Sequence, residues 1–220
     1  MSELENRRPI KTRGAGWAQA LAAALARAGV TPDAISAGSV VFAGAGAALL
    51  IVSSLSPDWR RSAALIAAAA CVQGRLICNL LDGMVAVEHG RGSPAGPIWN
   101  ELPDRVADLL LLVGAGYAGA LLGQTYAEPL GWLAGALAVL TAYVRELGRG
   151  LGQPADFSGP MAKPHRMATL TATCVISALE PFWGGRGQVL LIALAVIAVG
   201  TAWTVVRRVA HLAGRLAKLN

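Results

Sequence analysis

NLLDGMVAV, residues 79–87, closes an apolar run that begins near Ser62. The run is greasy enough to lie in lipid, yet it ends on Asp82 followed at once by Gly83. A charged side chain at membrane depth costs roughly 3 kcal/mol on insertion scales, so its presence there marks a site. What that site does depends on whether the rest of the chain belongs in a bilayer.

The composition says that it does. Of 220 residues, 55% are hydrophobic and only 15% charged, and the mean hydropathy is +0.51. Ordinary soluble domains are less apolar and carry more charge. Six apolar runs, at 37–55, 62–82, 103–123, 130–147, 167–183 and 188–206, come near the roughly 20 residues that a spanning helix needs. Alanine, leucine and glycine dominate and no alternation persists, so strands are not expected. Many of the 26 glycines sit beside alanines inside these runs, as in AGAGAALL and GAGYAGALLG, where small residues let helices pack closely. The expectation is an all-α integral membrane protein of six transmembrane helices.

Basic residues orient it. The connections SPDWRRS, GQTYAEPL and EPFWGGRGQ hold only Arg60, Arg61 and Arg186, while the other 16 of 19 Lys and Arg lie elsewhere. The positive-inside rule then puts both termini and the Asp82 end in the cytoplasm, as in a multi-pass protein of a bacterial-type inner membrane. Topology and anionic membrane lipids account for the net charge of +6, and no nucleic-acid partner is expected. The stretch GWAQALAAALARAG, residues 16–29, has the pattern of an amphipathic helix lying along the interface. The chain divides as one membrane domain, 1–220: a cytoplasmic arm and interfacial helix at 1–35, a six-helix bundle at 36–206, and a tail at 207–220. Cys71, Cys78 and Cys174 sit in apolar runs and show no metal or disulfide pattern.

The second run ends in RLICNLLDG and the third begins in NELPDRVAD, joined by a short glycine-rich loop. At about 100° per residue, Arg75, Asn79, Asp82 and Ala86 share an arc of roughly 60°. Asn100, Asp104 and Asp108 recur every four residues, and Glu101 lies about 20° beyond them. Two helix ends thus offer four carboxylates and two amides to one space. Such charges repel unless a cation sits among them. The donors are all oxygens, which suits Mg²⁺, Mn²⁺ or Ca²⁺ and argues against zinc, and such ions hold substrate phosphates. Helix caps and salt bridges at a wet helix end are the competing explanation for any one of these acids.

The register from Asn79 to Asp104 resembles the CDP-alcohol phosphatidyltransferase family, whose pattern is D-x-x-D-G-x-x-A-R, eight residues, then G-x-x-x-D-x-x-x-D. Here Asn79, Asp82, Gly83, Ala86, Val87, Gly96, Asn100 and Asp104 occupy those positions without a gap. VTPDAIS at 30–36, YVRELGRGLG at 143–152 and SGPMAKPHRM at 158–167 are similar to further family segments. Two of four aspartates are asparagine and the arginine is Val87. An asparagine carbonyl ligates a hard cation but brings no charge.

The resemblance implies a CDP-alcohol phosphotransferase-like bundle with a pair of Mg²⁺ or Mn²⁺ ions. Asn79, Asp82, Asn100 and Asp104 would hold metal, with Glu101 and Asp108 supplying the missing charge. Gly83, Ala86 and Gly96 would border the substrate. Asp104 would take the proton of the attacking hydroxyl, with Asp108 as second candidate. Arg145, Arg149, Lys163 and Arg166 would meet phosphate or else lipid headgroups. Arg75 would replace the missing arginine at a phosphate or pair with Asp82 or Asp108. The implied activity is a phospholipid-synthesis enzyme that moves a phosphatidyl group from a CDP-linked lipid, CDP-diacylglycerol, to the hydroxyl of a polar alcohol acceptor, releasing CMP. A homodimer is a weaker implication. The alternative is a catalytically silent relative that binds a nucleotide lipid or supports a partner synthase.

Overall fold

A computed structural model describes residues 11–218, and among them the regular structure is helical throughout. The rest of the polar arm, 1–10, and the end of the tail lie outside the described residues. Seven α-helices follow in order: α1 Gly16–Arg27, α2 Pro32–Leu55, α3 Asp58–Glu88, α4 Gly96–Leu121, α5 Ala127–Gly150, α6 Lys163–Ser177 and α7 Gln188–Leu216. A short 3₁₀ turn, Glu180–Trp183, precedes α7.

Local chemistry sets the start of α2. The Thr31 hydroxyl accepts the Ala34 N–H at 3.2 Å, Pro32 takes the first helical position and Asp33 sits in the first turn. The expected run at 167–183 divides instead: α6 stops at Ser177, and the chain turns through Glu180–Trp183 into the left-handed Gly184 at φ 73°. Four helices, α2, α3, α5 and α7, are long and apolar enough to cross a membrane. The other two long elements differ for visible reasons. Helix α4 carries Glu101, Asp104, Arg105 and Asp108 in its first half, and α6 has 15 residues, about 22 Å of helix.

Helices α2 to α7 close a ring, each packed on the next in the order α2, α3, α6, α7, α5, α4 and back to α2. Its centre holds Leu50, Leu65, Val72, Leu111, Met167, Leu170, Leu194 and Ile197. Close approach depends on glycine at two places. A Cβ on Gly114 would stand 2.9 Å from the Ala47 backbone, and one on Gly116 would stand 3.0 Å from Gly131. These contacts seat α4 against α2 and α5, and so fix the depth of its acids. Helix α1 packs Ala18, Ala22 and Ala26 against Leu80, Leu81, Met84 and Val85 of α3, leaving Trp17 and Leu21 exposed.

Three connections share one end of the bundle. There Glu180 is fully buried, takes Arg61 as its ion-pair partner and accepts the Gly187 and Val189 N–H groups at 3.0 Å each. Ser62 Oγ donates to the Ala178 carbonyl, and Gln124 Nε2 to the Arg186 carbonyl. The acids of the 79–108 stretch lie at the opposite end.

Candidate active site

Asp82 sits near the end of α3 and is 5% exposed. Its Oδ2 accepts the Ser36 hydroxyl at 2.7 Å, and its Oδ1 accepts the Gly83 N–H at 2.5 Å. Ser36 is itself buried, one turn into α2. No ion pair reaches Asp82 among the described residues, because the nearby cations are directed elsewhere. One turn earlier, Asn79 Nδ2 donates to Asp104 Oδ1 across the α3–α4 boundary, while its own Oδ1 is buried with no hydrogen-bond partner.

The other acids carry fixed counter-ions. Asp104 Oδ2 accepts the Lys163 ammonium from the head of α6 and lies 3.4 Å from Arg105. Arg75 Nη2 reaches the Asp104 carbonyl at 3.2 Å and Asp108 Oδ1 at 2.6 Å. Arg166 closes on Asp108 Oδ2 at 2.8 Å and donates to the Met161 carbonyl at 2.9 Å. Arg75, Asp108 and Arg166 are all essentially inaccessible to solvent. Glu101 is held by Arg145 and lies 3.5 Å from Arg105, and Arg145 also contacts Glu146 and the Phe157 ring.

The segment that delivers Lys163 and Arg166 is pinned to α7. A Cβ on Gly159, at φ 126°, would stand 2.3 Å from Thr204, so only glycine fits there. Met161 N–H donates to Thr204 Oγ1 at 3.0 Å, and Arg208 donates to the Ser158 and Thr141 carbonyls. Burial pushes the Asp156 carboxyl up, but hydrogen bonds from Ser158 and His211 and the charge of Arg208 outweigh it and hold it below the usual carboxylate range.

Several expectations from the sequence need correction against this geometry. Glu101 and Asp108 do not turn toward Asp82 to make up missing charge; arginines from α3, α5 and α6 take them. Arg75 pairs with Asp108, one of the alternatives expected for it, and Arg166 is held by the same carboxylate rather than turned to a phosphate. Asn100 is exposed, and Arg149 is exposed and paired with Glu146. Gly96 has room for a Cβ, which would meet only Ser93 Oγ at 3.7 Å. Ala86 and Gly83 are half-buried beside Asp82, and Val87 points outward at 46% exposure. Ser36 was not legible as a partner of Asp82; a serine within an apolar helix was the only signal. Nor was the Ser93–Asp33 hydrogen bond, 3.2 Å, which ties the α3–α4 loop to α2.

Among the described residues no three carboxylate, imidazole or thiol groups come together as a metal cluster. Among the buried oxygens of this cluster, Asp82 has only neutral hydrogen-bond partners and the Asn79 carbonyl has none. Lys163 lies near enough to act on Asp82 but gives its ammonium to Asp104, so Asp82 is a buried carboxylate without an ion-pair partner, one helical turn from an unsatisfied carbonyl. Both offer the oxygen that a hard ion takes.

No family model matches the chain, and no curated protein matches it. Solved structures do. The phosphatidylinositol phosphate synthase PgsA1 of Mycobacterium tuberculosis, in complex with manganese and citrate, superposes at a TM-score of 0.71 with 22% identity, covering 89% of this chain and 88% of that one. This chain has the PgsA1 fold. With CDP-DAG bound, PgsA1 superposes at 0.72 with 21% identity over 89% of this chain and 92% of its own. Its apo form gives 0.66 at 22% identity, over 88% and 94%. In this version of the PgsA1 fold, the end that bears Asp82 is the one where α2 begins, α3 ends and α4 begins.

Proposed function

We propose that this chain is an integral-membrane CDP-alcohol phosphatidyltransferase that moves a phosphatidyl group from CDP-diacylglycerol to the hydroxyl of a polar acceptor, releasing CMP. Its α2 to α7 helices are the six spans, α1 lies along the interface, and the Asp82 end faces the cytoplasm. The observation that carries this reading is Asp82: a buried carboxylate with only neutral donors, beside an unsatisfied Asn79 carbonyl, in a fold whose solved examples were crystallised with manganese and with CDP-DAG.

Asp82 and the Asn79 carbonyl would hold a divalent cation, Mg²⁺ or Mn²⁺. When bound, that ion supplies charge neutralisation for the diphosphate and for the departing CMP. The chain's own groups do the rest. Ser36 keeps the Asp82 carboxylate turned into the site. An exposed apolar stripe on α4, Ile98, Leu102, Val106 and Leu110, runs from the site along the bundle and suits acyl chains. Asp104 is placed to take the proton of the acceptor hydroxyl as the new phosphodiester bond forms and the bond to CMP breaks. Both of its oxygens are engaged here, Oδ1 by Asn79 and Oδ2 by Lys163. Lys163 therefore has to turn from Asp104 to the phosphate before that oxygen can accept a proton.

Purified protein given CDP-diacylglycerol, Mg²⁺ or Mn²⁺ and a panel of polar alcohols tests the reading by CMP release. Release by the wild type and its loss in Asp82→Ala and Asp104→Ala are expected. The full engagement of Asp104 favours a second reading, a catalytically silent relative. Binding of CDP-diacylglycerol without CMP release from any acceptor would select it.

A further inference from the structure

We infer that this site takes a single divalent cation, at Asp82 and the Asn79 carbonyl, and that Lys163 and Arg75 stand where a second ion would otherwise be required. The inference rests on the phosphatidyl-transfer reading only for where the substrate lies. It stands on which carboxylates already own a positive charge.

Of the four acids Asp82, Glu101, Asp104 and Asp108, three do. Asp104 has Lys163, Arg75 and Arg105, Asp108 has Arg75 and Arg166, and Glu101 has Arg145 and Arg105. These cations come from α3, α4, α5 and α6, so four helices converge on the acids of α4. A divalent ion approaching Asp104 would have to displace an ammonium that is already in contact with Oδ2, in a setting of low dielectric where like charges repel strongly. Asp108 is more firmly closed, since each oxygen has its own buried arginine.

Asp82 differs in kind. A hydroxyl and a backbone N–H satisfy hydrogen bonds without cancelling charge, and nearby Lys163 bonds Asp104 instead, so the Asp82 carboxylate still attracts a cation. Asn79 adds an oxygen that nothing else claims. Asparagine at 79 and 100 in place of carboxylate fits the same arithmetic. With Lys163 and Arg75 against Asp104 in the resting site, further negative charge would have no ion to meet. Lys163 is thus a positioning residue for Asp104, doing with one charge what a metal would do with two.

Manganese stoichiometry tests this. The full chain, purified in detergent, is equilibrated with Mn²⁺ with and without CDP, and bound metal is counted by elemental analysis and examined by electron paramagnetic resonance. One Mn²⁺ per chain with the spectrum of an isolated ion is expected. Asp82→Asn should weaken binding at least tenfold, and Lys163→Met, which frees Asp104, should admit a second equivalent. Ser36→Ala, a gentler change, should also weaken Mn²⁺ should Asp82→Asn fail to fold. Two equivalents or an exchange-coupled spectrum in the wild type would overturn the inference, as would no Mn²⁺ binding at all or unchanged binding in both Asp82→Asn and Ser36→Ala. Two ions together with CMP release would leave the transfer reading standing. One ion without CMP release from any acceptor would overturn that reading and leave this one.

Discussion

Asp108→Ala removes the only carboxylate that Arg75 and Arg166 share among the described residues. Arg75 lies 2.6 Å and Arg166 2.8 Å from its two oxygens, and Asp108 is 1% exposed. Without it, two guanidiniums stay buried, and Arg75 Nε and Nη1 and Arg166 Nε already lack hydrogen-bond partners. Breaking a buried pair from one side costs about 3–5 kcal/mol, because the surviving charge is left uncompensated. For a chain of this size about 2–4 °C of melting temperature accompanies each kcal/mol, so a drop of roughly 6–20 °C is expected. The assay is thermal unfolding of purified protein in detergent, followed by tryptophan fluorescence, with CMP release measured on the fraction that remains folded. Asp108→Leu combined with Arg75→Met and Arg166→Leu should recover most of the loss, since apolar groups of similar volume replace a buried triad without stranding a charge. If Asp108→Ala melts within about 2 °C of wild type while CMP release disappears, Asp108 is a reacting group and its reading here as a brace for α3, α4 and α6 is wrong.

Ser36→Ala should lower Mn²⁺ affinity about tenfold, and Ser36→Thr should restore most of it, because groups that orient a metal ligand are worth that much; equal affinity in all three proteins would show that Ser36 does not orient Asp82. Glu180→Ala, at the far end of the bundle, should cost about 3–5 kcal/mol by stranding Arg61, while turnover per folded molecule stays at the wild-type level. Lost turnover at an unchanged melting temperature would contradict that assignment. Asp156 has its carboxyl held below the usual range in the folded protein, so the stability it adds is complete above the unfolded value near about 4 and is lost as pH falls through the lower folded value. Acid titration of wild type against Asp156→Asn by thermal unfolding should show their melting temperatures converging only below about pH 4; a constant gap across that window would refute it.

The helices were legible because each needs only a run of apolar residues long enough to cross lipid, and run length is written in one dimension. Their ends were less so. Apolar residues continue from α6 through Leu179 and Phe182, yet the helix stops at Ser177, and Glu180 is drawn into the bundle by Arg61 and by the N–H groups of Gly187 and Val189. Pro181, which has no N–H for the Ser177 carbonyl, marks the stop locally, while the partners that draw Glu180 inward lie on other segments. The same division holds at the candidate site. Spacing placed Asn79 and Asp82 on one face of α3 and Asp104 and Asp108 on one face of α4, and the Asn79–Asp104 contact joins those faces. Spacing could not say which cation each acid would meet. Arg75 was open to a phosphate, to Asp82 or to Asp108, and in the folded chain it meets Asp108 at 2.6 Å. That choice, with Lys163 on Asp104 and Arg145 on Glu101, leaves Asp82 as the acid without a counter-ion among the four. A site that looks rich in ligands along the chain thus narrows, in three dimensions, to one carboxylate and one amide oxygen. The cations that do the narrowing come from α3, α4, α5 and α6, so no reading confined to the 79–104 stretch could have found them.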